Sequence, residues 1–184
     1  MAVFPVIVDA CVLFNAPVRD TLLRSAEYGL FRIHWSQKIL NETTKNLMNT
    51  GRMNQGQAEH LVQEMSNAFP EARTEPPDDL IATMKNDPKD RHVTAAAVTC
   101  SAQVIVTFNV KNFKTEHLAH LNIEAQDPDV FLLYLFGLQP DLLITILLEQ
   151  AGDLKNGSLD QLLDRLEKHV PRFVAAVRKR IASE

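Results

Sequence analysis

Cysteine is scarce in this chain of 184 residues. Only Cys11 and Cys100 occur, each in apolar surroundings and neither with a CxxC neighbour. That argues against a zinc site built on thiolates, and both read as core thiols in a reducing compartment. Positive charge is also in short supply. The formal net charge is -4 and the pI near 5.9, so any nucleic acid must be held by local basic patches and a metal rather than by a general positive field. A basic segment followed by a long apolar one, as in a secretory signal, is missing at the start. The most apolar stretch, 130–148, is interrupted by Gly137, Gln139, Pro140 and Asp141, too soon to span a bilayer. Internal repeats and low-complexity tracts are absent. These gaps together favour a cytoplasmic protein with no membrane partner.

What is present is a 46% hydrophobic composition, enough to bury a sizeable core in one ordinary domain plus an extension. Phe4 to Val8 is a short run of branched residues that ends abruptly at Asp9, as a strand buried on both faces of a parallel sheet would. Cys11-Val12-Leu13-Phe14 follows, too apolar for a solvated turn, and a helix is expected from about Arg19 to Tyr28. Phe31 to Trp35 alternates like a second strand. Ser36 caps a helix from Gln37 to Thr50 with Ile39, Leu40, Thr43 and Leu47 on the core side. Glu42 stands beside that stripe, where the plain reading is a local pair with Lys45 or Asn46. A further amphipathic helix covers residues 54–68.

The stretch Asn86-Asp87-Pro88-Lys89-Asp90-Arg91-His92-Val93 runs straight into an Ala-rich helix that ends near Cys100. Asp90 therefore belongs near the N-terminus of that helix, either capping it or serving chemistry. Gln103 to Thr107 is the clearest strand signal, and Asn109, Lys111, Asn112 and Lys114 lie just beyond its end. Ile123-Glu124-Ala125 suits an edge strand, and Asp127-Pro128 opens the first of several helices that run to the end of the chain. The alternation of strands and helices predicts an α/β fold with a central, mainly parallel sheet flanked by helices. The expected domains are 1–137 and a helical extension over 138–184. Asp9, Asp90 and the edge carrying Thr107 and Asn109 would meet at the carboxyl ends of the strands, where open α/β sheets bind ligands. Glu42 would enter from a flanking helix. Carboxylates crowded in this way call for a cation, and an oxygen-only set favours Mg²⁺ or Mn²⁺ over zinc.

On Val8-Asp9-Ala10, Glu42, the 87–93 stretch and Val106-Thr107-Phe108-Asn109-Val110-Lys111-Asn112-Phe113, the sequence resembles the PIN-domain nucleases. Within them it is most similar to the toxins of VapC-like toxin–antitoxin systems, and the resemblance covers about residues 3–131. It implies a three-layer fold and a Mg²⁺- or Mn²⁺-dependent endoribonuclease with Asp9, Glu42 and Asp90 as catalytic and metal-binding acids. Asp87, Thr107, Asn109 and Asn112 would support them, and Lys89, Arg91, His92, Lys111 and Lys114 would contact the phosphates of RNA. The implied partners are RNA, a cognate antitoxin and a second copy of the chain. Many family members carry further acids where this chain has Asn109 and Asn112, so one metal ion is expected rather than two. A PIN fold kept only for binding is the competing reading. An Asp-phosphorylated enzyme is remote, since Cys11 stands where a phosphatase would want a second Asp.

Overall fold

The computed structural model describes residues 3–154 and 157–183. These fall into two compact units, one built from the chain up to Phe14 with Phe31–Gln126, the other from Asn15–Leu30 with the chain from Asp127 onward.

The first unit is organised by four short parallel strands, β1 (Pro5–Val8), β2 (Arg32–His34), β3 (Val104–Val106) and β4 (Glu124–Gln126), in the spatial order β2-β1-β3-β4. Val6, Ile7, Val8, Ile105 and Val106 are fully buried, which explains why the two central strands read as unbroken apolar runs rather than alternating ones. Helix α1 (Ala10–Leu13) follows β1 at once. This short turn of helix was not expected, and it accounts for the apolar residues after Asp9, since Ala10, Val12 and Leu13 are buried. Helix α2 (Ala16–Glu27) belongs to the second unit. The chain of the first unit resumes through β2 into α3 (Gln37–Asn49), where Ser36 Oγ accepts from Ile39 N at 3.2 Å and the buried face is Ile39, Leu40, Thr43 and Leu47. Gly51, at φ +68°, then takes the left-handed conformation that lets the chain turn back. Helices α4 (Gln55–Ala68), α5 (Asp78–Thr83) and α6 (Arg91–Thr99) precede β3, and α7 (Thr115–Leu118) leads toward β4. Five successive buried side chains after His92, from Val93 to Ala97, make α6 the inner helix of this unit.

Because β2 lies on one side of β1 and β3 on the other, successive connections leave β1 in opposite directions. The register pairs Val8 with Val106, so the residues just past both strand ends, Asp9 and Thr107, share the crevice where the strand order reverses.

The second unit is all helical: α2 with α8 (Pro128–Leu138), α9 (Pro140–Gly152), α10 (Leu159–Glu167) and α11 (Pro171–Ile181). The Asp129 carboxylate on α8 accepts from Arg172 N at 3.1 Å and Phe173 N at 2.8 Å, satisfying two orphan donors of α11, while Phe136 packs edge-on against Phe173. The Thr21 hydroxyl reaches Gln150 Oε1 at 2.8 Å and ties α2 to α9. The helical unit thus includes α8 and α2, whereas the sequence boundary was placed after Gly137. The pairings that define the unit join residues far apart in the chain, so no local break marks them. Among the described residues no single helix is long and apolar enough to cross a membrane, and α8 and α9 meet at 120°.

Candidate active site

Asp9 is 4% exposed and leaves β1 in extended conformation. Its Oδ1 accepts from Ala10 N at 2.7 Å. Its Oδ2 accepts from the Thr107 hydroxyl at 2.7 Å and from the Cys11 thiol at 3.2 Å. Burial is the largest influence on this carboxyl and raises its pKa, with the charge of Asp90 adding to it; the three hydrogen bonds oppose the shift. The charge of Asp90 is thus felt at Asp9. Among the described residues neither makes an ion pair with a basic side chain.

Asp90 occupies the position before α6, but its side chain does not cap the helix. It accepts from Asn112 Nδ2 at 2.8 Å instead. Asp87 takes the ordinary structural role: its Oδ1 accepts from Lys89 N at 3.0 Å, and its carbonyl accepts from Asp90 N at 2.9 Å, a tight turn that delivers Asp90. The Asn109 N–H donates to Thr107 Oγ1 at 3.0 Å, so that hydroxyl is held from one side while it donates to Asp9 on the other.

Glu42 reaches toward α6. Its Oε1 lies 3.2 Å from His92 Nε2 on α6, a contact across two helices in place of the plain alternative of a local pair with Lys45 or Asn46. Neither ring nitrogen of His92 has an aligned hydrogen-bond partner among the described residues. His92 is 1% exposed, which makes it a packed helix residue rather than a free phosphate ligand. Lys89, Lys111 and Lys114 are exposed and Arg91 is half-buried, with Arg91 Nε donating to Asn86 O at 3.3 Å. Among the described residues no group of three or more His, Cys, Asp and Glu side chains is placed to hold a metal. Of the three expected acids, Asp90 acts on Asp9 through its charge, and Glu42 lies against His92, two residues after Asp90. Asp9 and Asp90 still suit Mg²⁺ or Mn²⁺, which needs only one or two protein carboxylates and takes its remaining ligands from water and phosphate.

Cys11 is the site residue that sequence reasoning missed. Its sulfur touches both Asp9 Oδ2 and, at 3.4 Å, Thr107 Oγ1, and it accepts from Phe108 N. Burial, reinforced by the charge of Asp9, pushes its pKa up to about 12, so it is a neutral thiol donor. The signal was its position two residues after an acid at a strand end, visible in hindsight only once α1 turns it inward.

A PIN-domain model matches residues 5–111. This chain belongs to the PIN-domain family. Asp9, Asp90 and Thr107 all lie within the matched residues, and a second model, the VapC50 C-terminal domain, matches residues 128–179 of the helical unit. A curated protein of Mycobacterium tuberculosis (strain ATCC 25618 / H37Rv), named "Putative ribonuclease VapC50", is 41% identical over 103 residues, which is 55% of this chain and 61% of that protein. The match thus spans about three fifths of the relative's length. No solved structure gives a significant match.

Proposed function

We propose that this PIN-domain protein is a divalent-metal-dependent endoribonuclease and the toxin of a type II toxin–antitoxin pair. The observation that carries the reading is a buried Asp9 at the switch point of a PIN sheet, felt by the charge of Asp90 at the start of α6, with no basic partner on either acid among the described residues. The similarity to a protein named as a ribonuclease supplies the substrate class. Asp9 and Asp90 would hold one Mg²⁺ or Mn²⁺, with Glu42 as the third acid of the site. When bound, such an ion supplies the positive charge that phosphodiester hydrolysis needs at the phosphoryl oxygens.

The chain's own residues divide the remaining work. Thr107, Cys11 and Ala10 N hold the Asp9 carboxylate in one orientation, and Asn112 holds Asp90. One carboxylate of the pair accepts the proton of the attacking water. Lys89, Arg91, Lys111 and Lys114 hold the phosphates of the RNA strand, which an acidic protein must bind locally. The proposal includes a cytoplasmic setting, a homodimer and a cognate antitoxin.

The test is cleavage of labelled RNA by the purified chain with Mg²⁺ or Mn²⁺ and with EDTA. Metal-dependent cleavage abolished in Asp9→Asn and in Asp90→Asn is the expected result, and cleavage surviving in both variants refutes it. For the toxin role, expression should arrest growth and co-expression of the neighbouring gene's product should relieve the arrest. One observation favours a second reading, a PIN fold kept for binding: the Asn112 amide occupies Asp90 Oδ2. RNA binding without cleavage under any metal would establish that alternative.

A further inference from the structure

His92 stands in the first turn of α6, two residues after Asp90 in the chain, and is 1% exposed. Neither of its ring nitrogens has an aligned hydrogen-bond partner among the described residues, although native proteins pair nearly all buried polar atoms. The five positions that follow, Val93 to Ala97, are buried as well, and an apolar side chain at 92 would continue that packing without stranding two nitrogens. Packing alone therefore does not account for an imidazole here.

One polar atom meets the ring. Glu42 Oε1 lies 3.2 Å from His92 Nε2, a hydrogen-bond separation in which only the angle is wrong. A turn of the Glu42 side chain corrects such an angle, and hydrogen bonds around catalytic groups are often misaligned until the site is filled. Among the described residues no other ion pair or side-chain hydrogen bond holds Glu42, whose side chain is 39% exposed. A glutamate so loosely held loses rotamer freedom whenever a ligand fixes it.

We infer that His92 is the positioning residue of Glu42: its Nε2–H donates to Oε1 and holds the carboxylate ready, with Oε2 free, as the third acid of the cation site. This role rests on the nuclease reading for the existence of that site and adds to it a residue that touches neither the ion nor RNA. The neutral imidazole carries its hydrogen on Nε2, and Nδ1 keeps the lone pair. Burial suits the task, because water does not compete for Nε2. Removing a group that orients a metal-binding carboxylate typically weakens metal affinity by about 10–100-fold.

The test is calorimetric titration of Mn²⁺ into the EDTA-stripped, dialysed full chain and into His92→Leu, His92→Gln and Glu42→Gln, each checked for folding by thermal melting. His92→Leu should bind Mn²⁺ at least about tenfold more weakly, yet melt no lower than wild type in EDTA, since it removes two unpaired buried nitrogens. His92→Gln, whose amide nitrogen reaches about as far as Nε2, should restore near wild-type affinity. Glu42→Gln should weaken binding, and adding His92→Leu to it should weaken binding no further, because the histidine acts only through Glu42. Unchanged affinity in His92→Leu overturns the inference, as does a glutamine variant as weak as the leucine one or a leucine effect that persists without the Glu42 carboxylate. An NMR measurement on the wild type depends on no variant folding: with isotope-labelled histidine, Mg²⁺ should move the His92 Nε2–H proton downfield as the bond to Glu42 aligns, and a signal indifferent to Mg²⁺ refutes the role. A wild-type chain that binds no metal removes the nuclease reading and this inference together. Binding that Asp9→Asn abolishes and His92→Leu spares keeps the nuclease reading and removes this inference alone.

Discussion

Replacing Thr107 with valine removes one hydroxyl while nearly preserving shape, so it isolates what that hydroxyl does for Asp9. The oxygen is fully buried, donates to Asp9 Oδ2 at 2.7 Å and accepts from Asn109 N at 3.0 Å. Losing a hydrogen bond to a charged group costs about 1.5–3 kcal/mol, and the stranded Asn109 N–H adds to it, for a total of about 2–4 kcal/mol. A chain of this size loses about 2–4 °C of Tm per kcal/mol, so Thr107→Val should melt about 5–15 °C below wild type at pH 7. Thr107→Ser keeps the oxygen and loses one methyl, costing about 1 kcal/mol. The pH dependence follows from Asp9. Its folded pKa is already raised by burial, so its contribution to stability is fully present below the unfolded value, about 3.9, and is lost as pH rises through the folded pKa. The Thr107 bond lowers that folded pKa, and the valine variant raises it further. The gap between variant and wild type should therefore widen from acid to neutral pH. Differential scanning calorimetry across that range, in EDTA, is the assay. A serine variant as unstable as the valine one, or a valine gap that does not change with pH, refutes the reasoning.

Three other perturbations have definite expected outcomes. Asp9→Asn removes the cost of ionising a buried carboxyl, so in EDTA at pH 7 its Tm should exceed that of wild type; the gain should shrink as pH falls and vanish below the unfolded value of about 3.9, where the acid is protonated in both states, as melting curves will show. Asn112→Asp replaces the donor to Asp90 with a second carboxylate and should destabilise the metal-free chain by about 2 kcal/mol in urea unfolding, with Mn²⁺ reversing the loss. Asp129→Ala strands Arg172 N and Phe173 N at the start of α11 and should cost about 2–3 kcal/mol, seen as earlier hydrogen exchange in α11 while the sheet of the first unit keeps its protection.

Much of the fold was legible because the strongest local patterns agreed with the tertiary result. The apolar run before Asp9 and the branched run before Thr107 identified the two central strands, and the acids and hydroxyl at their ends follow from a parallel sheet. Ser36, Asn54 and Asp127 marked helix starts because their caps are made within three residues, as the structure shows. What escaped notice depends on contacts between distant segments. The sequence left open whether Asp90 caps α6 or serves chemistry; only the folded turn shows that Asp87 makes the local bond and leaves Asp90 to Asn112. The Glu42 contact with His92 joins α3 to α6, and no helix-face rule for either segment predicts it. Cys11 reads as a core thiol until α1 brings its sulfur against both Asp9 and Thr107. The membership of α2 in the helical unit is likewise invisible locally, since its anchor at Gln150 lies in α9.

The most direct measurement is calorimetric titration of Mn²⁺ into the EDTA-stripped, dialysed chain and into its Asp9→Asn and Asp90→Asn variants. The account predicts saturable binding of a single ion by the wild type and at least a tenfold loss of affinity in each variant. Absence of binding in the wild type, or equal binding by all three proteins, would contradict the claim that these two carboxylates form a cation site.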